Sequence, residues 1–395
     1  MRVVWHARRV PPDRTGSGVR GWVTALAVSM LAMSAGLPAG AEHALDAPVL
    51  PRDDWHVPIV VEDEPVAGPL GLFDDDPKGL VPKTPFVQRY SLDEDHWEVW
   101  LCGAVATGMA DVIAGLEAAA VDYFDAISGG VYEPVFTAGG TIAASTCLPD
   151  FLDGINPTVG SPEGIVIIDD ITGGGYASPG TICVSDDPDC PSVPSTFPTN
   201  RRYAVIGEGS LLAFPSVAVH EFSHALQWPH SNSGTGDEYD NPIDLMSGNS
   251  TSGGSTEPDP YGTLSYNRYQ SGWVQPSEVV VATGSSQSLT LQPFDRAGTQ
   301  LLAVRSAQEG RFHVFGARTT SVFDPIPSTW QGVEVYVVDH YCGAPGFGGG
   351  VCPGLFRSHT QEPPSPRGVG HVLQPGEWVE VEGLTITIGG SAATG

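Results

Sequence analysis

Lysine is almost missing: the chain of 395 residues carries it only at Lys78 and Lys83, and Lys and Arg together number 18 against 46 Asp and Glu. A formal charge of −28 repels polyphosphate, and no basic cluster beyond the N-terminal stretch offers a docking stripe, so nucleic acid is excluded as a partner. No CxxC spacing occurs, which removes the usual cysteine-built metal site. No internal repeat stands out. After the N-terminal stretch no apolar run approaches the roughly eighteen residues of a membrane span, so no membrane anchor is expected. With 49 Gly, 35 Pro, 41% apolar and only 16% charged residues, both a collagen-like repeat and a charge-driven disordered chain are excluded. What remains is a loop-rich globular protein of exported type, with two or three domains.

Residues 1–41 read as an address. Arg2, Arg8, Arg9, Arg14 and Arg20 precede an apolar run from Trp22 to Met33, followed by Ala39-Gly40-Ala41. This is the pattern of a signal peptide cleaved near Ala41, and it predicts a secreted protein. All six Cys (Cys102, Cys147, Cys183, Cys190, Cys342, Cys352) lie beyond that point, and an even count in an exported chain points to disulfides. Short loops make Cys183 with Cys190 and Cys342 with Cys352 the natural local pairs, which leaves Cys102 with Cys147.

Residues 42–95 are rich in Pro and Asp and read as a prosegment or spacer; they hold no Cys that could plug a metal site. From residue 96 the texture changes. A short strand (Glu98 to Leu101) leads to an apolar-periodic helix, Met109 to Ser128, ended by Gly129-Gly130. Strands follow at Val131 to Thr137, Gly164 to Asp169 and Arg202 to Ile206, with a Gly/Ser/Pro loop from Ile171 to Gly180. A second helix is expected from Ser216, as its cap, to Gln227, with Pro229 stopping it. After residue 275 the apolar residues alternate in twos, as in Val333/Val335/Val337 and Leu384/Ile386/Ile388, which predicts a small antiparallel β-domain over 276–395 with half-solvated sheets. The expected fold class is therefore α+β, an α/β layer over 96–275 followed by a sandwich-like β-domain.

The informative stretch is His220-Glu221-Phe222-Ser223-His224-Ala225-Leu226-Gln227-Trp228-Pro229-His230. At 3.6 residues per turn, His220 and His224 stand one above the other and can share one ion. Glu221 lies one residue round, beside the ion, where its carboxylate can hold a water. His230 follows the helix end and can turn back as a third nitrogen, leaving a fourth position open, which is the donor set of catalytic Zn²⁺. The acidic runs Asp186 to Asp189 and Asp237 to Asp240 offer the oxygen ligands that Ca²⁺ takes.

These residues resemble the pattern of the metzincin zinc endopeptidases, His-Glu-x-x-His-x-x-Gly-x-x-His followed by a Met-turn. The candidate turn is Asp244-Leu245-Met246-Ser247-Gly248. The run Tyr239 to Ser247, the stretch Asn267 to Trp273 and the segment Gly332 to Tyr336 are similar to the immune inhibitor A and gametolysin-like branch, over roughly residues 97 to 390. The resemblance implies a metzincin-like catalytic domain: a twisted sheet with two main helices, a cleft above the zinc, and Met246 as an apolar floor beneath the imidazoles. The pattern's glycine falls on Gln227, where a left-handed backbone costs a non-Gly residue roughly 1 kcal/mol. The activity implied is hydrolysis of protein or peptide substrates, with Glu221 as the base. The alternative from another class is an inactive secreted protein that binds through its C-terminal β-domain.

Overall fold

The computed structural model describes residues 2–7, 78, 80, 93–142, 147, 164–170, 174–178, 202–226, 228–232, 241, 243–247, 262–284, 286–308, 310–326, 330–339, 359–361 and 372–389. Within these the architecture is mixed α and β, with three sheets and few helices. The first strand, β1 (Arg2–Ala7), belongs to a sheet completed much later in the chain. The next elements form one layer: β2 (Asp93–Cys102), α1 (Met109–Ser128), β3 (Tyr132–Ile142), β4 (Gly164–Asp169), β5 (Gly175–Ser178), β6 (Arg202–Gly207), α2 (Glu208–Ala213) and α3 (Pro215–Ala225).

Their sheet runs β3-β2-β4-β6-β5, parallel throughout except for β5 at the edge. The run Gly-Ile-Val-Ile-Ile-Asp of β4 is buried at every position, because a parallel strand in the middle of a layered domain is covered on both faces. Val166 and Ile168 face α1 and α3, while Ile165 and Ile167 face Trp100, Ile142 and Tyr203. Helix α1 has the bounds its periodicity predicts. It ends where Gly129, at φ 72°, turns left-handed and Gly130 donates its N–H to Asp125 O at 2.8 Å, a closure that non-glycine residues resist. A disulfide joins Cys102 at the end of β2 to Cys147. Closing a loop of 45 residues stabilises by on the order of 4 kcal/mol in the chain-entropy picture. The other four cysteines lie outside the described residues.

Two expectations for this layer need correction. Ser216 is not a cap: Pro215 opens α3, the position before it is Phe214, and Ser216 is buried inside the helix. Proline at the first helical position needs no such partner, since its missing N–H is one that the helix leaves unpaired. The predicted loop over 171–180 also contains β5, a strand of only four residues, which exists because β6 offers it an edge to pair with.

The second half is built of β7 (Ser231–Asn232), α4 (Ser265–Gln270), β8 (Val279–Val281), β9 (Gln287–Thr290), β10 (Leu301–Arg305), β11 (Arg311–Arg318), β12 (Gly332–Asp339), β13 (His359–Gln361), β14 (Trp378–Val381) and β15 (Leu384–Gly389). A six-stranded sheet, β7-β13-β12-β11-β10-β8, faces a four-stranded one, β14-β15-β1-β9. Leu302, Val304, Phe315, Val333 and Val335 of the first meet Val3, Leu289, Ile386 and Ile388 of the second. The sandwich is therefore present, but the six-stranded sheet is not half-solvated. Its other face packs Tyr266, Tyr269, Val274 and Leu80, so all eight residues of β12 are buried. Nor is it purely antiparallel, since β8 with β10 and β7 with β13 are parallel pairs.

Three segments from earlier in the chain complete this half. Strand β1, at the start of the predicted leader, lies between β9 and β15 and pairs antiparallel with both. Leu80, in the predicted prosegment, is buried, and its carbonyl accepts the Tyr266 hydroxyl at 3.0 Å. Strand β7 follows His230 directly. The helix α4 has no cap of its own. Instead Glu334 on β12 accepts the Ser265 N–H at 2.9 Å, and the Tyr336 hydroxyl accepts the Tyr266 N–H at 2.7 Å. Glu334 is in turn held by Arg318, which also pairs with Asp324 at 2.7 Å. Among the described residues no helix is long and apolar enough to cross a membrane.

Candidate metal centre

Helix α3 is buried almost throughout. Phe222 fixes its rotation, with its ring 5.0 Å from that of Trp97 and 5.4 Å from that of Phe136. Burying one such ring contributes about 1.5–3 kcal/mol. With Phe222 committed to the core, His220 and His224 project together from another face, their ring centroids 4.6 Å apart. The helix ends at Ala225, and the Trp228 N–H reaches back to Ser223 O at 3.0 Å. Trp228 anchors the outgoing chain: its ring lies 5.3 Å from that of Trp273, and its Nε1 donates to Ser271 Oγ at 2.7 Å. Two residues later His230 returns, its ring 4.4 Å from His224 and 5.4 Å from His220. Gln227, with its expected left-handed backbone, lies outside the described residues.

One ligand atom from each of the three histidines falls within 4.8 Å of the others. The outward nitrogens are already specified. His220 Nδ1 meets Leu245 O at 2.8 Å and His224 Nδ1 meets Trp228 O at 2.8 Å, so each Nδ1 carries the proton and each Nε2 presents a lone pair. His224 Nε2 and His230 Nε2 stand 2.8 Å apart. Two nitrogens about 2.0–2.1 Å from one tetrahedral ion lie about 3.3 Å apart, so the pair needs to open by roughly half an ångström to share a metal. Burial pushes His220 down to about 4 and His230 down to about 3, and it holds His224 well below the usual histidine range. All three imidazoles are therefore neutral at pH 7, the form a metal requires.

Glu221 follows His220 on α3, 3% exposed, and its Oε2 has no hydrogen-bond partner among the described residues. Burial pushes its carboxyl up to about 8. The turn Ile243–Ser247 braces the cluster from below: Leu245 O holds His220, and Met246 O accepts the Ser231 N–H at 2.8 Å, next to His230. Met246 is fully buried in the core that contains Ala218, Val219 and Phe222. Asp244 accepts from Thr263 Oγ1 at 3.1 Å, and Leu245 N–H donates to Gly262 O at 3.2 Å. The turn is thus tied to the second half of the fold.

The structure brings His220, His224 and His230 together; Glu221 follows His220 on the same helix, and Met246 lies in the turn whose Leu245 carbonyl holds His220. Both candidate Ca²⁺ stretches lie outside the described residues. Sequence reasoning missed Trp228, which returns the chain to the site, and Gly175 of β5, which lies against Glu221. A Trp-Pro pair before a third histidine was a readable signal for the first. No signal marked the second, one glycine in a glycine-rich loop. No protein-family model matches the chain, and no curated protein is significantly similar to it.

Proposed function

We propose that this chain is a secreted zinc-dependent endopeptidase of the metzincin kind, resembling the immune inhibitor A and gametolysin-like branch. The observation that carries this proposal is the convergence of three neutral imidazoles, two with their Nδ1 protons committed to carbonyls, beside a buried carboxylate. His220, His224 and His230 fit zinc by number, donor type and protonation, and leave an open fourth position. Bound there, zinc supplies a Lewis acid that acidifies water and polarises a carbonyl. Glu221 does the proton work in its ionised form, which a cation held by the histidines would favour against burial: Oε2 takes the proton from the attacking water and passes it to the departing amine nitrogen. Met246 forms the apolar floor. In the described sheet β5 is the last strand, and its outer edge beside Glu221 is where an extended substrate backbone docks as one more strand.

Casein cleavage tests the activity: a strong chelator abolishes it and added zinc restores it. Cleavage that persists in chelator defeats the proposal.

Export raises a second test, because cleavage near Ala41 takes β1 away and leaves β9 and β15 without their shared neighbour. We expect the secreted chain, read from its intact mass, to have lost residues 1–41, and the active enzyme to begin well beyond Glu42. A secreted chain that still carries residues 2–7 makes β1 a permanent strand and overturns the leader.

A further inference from the structure

We propose that Gly175 is a positioning residue for Glu221, its missing side chain being the space in which the carboxylate is held. This deepens the peptidase proposal and rests on Glu221 being the base. Strand β5 pairs Gly175 with Ile206 and Ala177 with Ala204, whereas Tyr176 pairs with Val205. Ile206 and Ala204 belong to the core that α3 covers, and Val205 faces the opposite side of the sheet. Position 175 is therefore directed at α3. A Cβ there would stand 2.7 Å from Glu221 Cγ and 2.8 Å from Oε1, closer than packed carbons and oxygens approach. It would also meet Val205 O at 2.8 Å.

Neither side can withdraw easily. On the strand side, Gly174 O accepts the Gly207 N–H at 3.1 Å and Gly174 itself is at φ 85°, so the entry to β5 is fixed by a glycine-only backbone. On the helix side, Phe222 locks α3 among aromatic rings. The group with freedom to move is the Glu221 side chain. In the native arrangement its Oε1 side rests against bare backbone while Oε2 stays unpartnered, so one oxygen is located and the other is left for the proton. A methyl group at position 175 displaces that carboxylate by the better part of an ångström, and misplacements of this size cost about a hundredfold in rate.

The test is a double-mutant cycle on the secreted full-length product, loaded with zinc. Gly175→Ala should lower kcat on a casein-derived peptide by about ten- to a hundredfold with KM and zinc content unchanged. In a Glu221→Gln background it should cost nothing further. Melting temperature gives a readout that does not depend on activity. Gly175→Ala should lower it by about 3–6 °C, and Glu221→Ala, which clears the space, should remove most of that loss, leaving only the part due to Val205 O. Should Gly175→Ala not accumulate in folded form, Glu221→Ala in the same chain should restore folding. Equal losses of melting temperature in both backgrounds, no restoration of folding, or an unchanged kcat overturns the proposal. A wild-type chain that cleaves nothing defeats the peptidase activity, and with it the positioning of a catalytic base by Gly175. The melting-temperature coupling still reports separately whether the contact exists.

Discussion

Replacing Glu221 by Gln is expected to lower kcat by at least about a hundredfold while leaving zinc content and fold intact. The change is nearly isosteric, and the site is one where a charge is already disfavoured, since burial pushes the Glu221 carboxyl up to about 8 in the metal-free chain. A folded-state value raised above the unfolded one gives stability that is present below about 4.5 and lost as pH rises through about 8. The metal-free Gln variant should therefore melt no lower than wild type at pH 7 and higher than wild type at pH 9. Its lost rate then belongs to chemistry. Turnover at the wild-type rate, with zinc bound, shows that another group takes the proton.

His230→Ala should weaken zinc binding by more than about a hundredfold, the upper range for losing a mere supporting partner of a ligand. The remaining His220 and His224 form an incomplete donor set. The fold should survive, because the backbone after His230 is held independently, through Ser231 N–H on Met246 O and the pairing of β7 with β13. Competition with a chromophoric chelator measures the affinity, and the melting curve of the metal-free variant measures the fold. Unchanged zinc affinity would send the search for a third ligand to the acidic stretch ending at Asp244, although that carboxylate is engaged with Thr263.

Where the sequence was legible, the controlling interactions were local. The bounds of α1 follow from a 3.6-residue period and two glycines, and β4 follows from an unbroken apolar run between turn residues. His220 and His224 are legible for the same reason: helical geometry alone places them together. His230 needed the additional assumption that the chain turns back, which Trp228 enforces through Ser271 and Trp273. What escaped depended on distant partners. Strand β7 has two residues and no pattern, and exists only because β13 lies beside it. Ser216 looks like a cap because cap chemistry is local, yet Pro215 had already set the helix start. Leu80 and β1 joined the later core over separations that no periodicity encodes. The half-solvated β-domain failed likewise, since alternation reveals one covered face and is silent about what packs on the other.

The most direct measurement is a zinc titration of the chelator-stripped chain, with casein cleavage read after each addition. Three imidazoles and one buried carboxylate predict activity that rises in proportion to zinc and stops at one equivalent per chain, with His220→Ala inactive throughout. Cleavage already present without zinc, or none at one bound equivalent, contradicts the account.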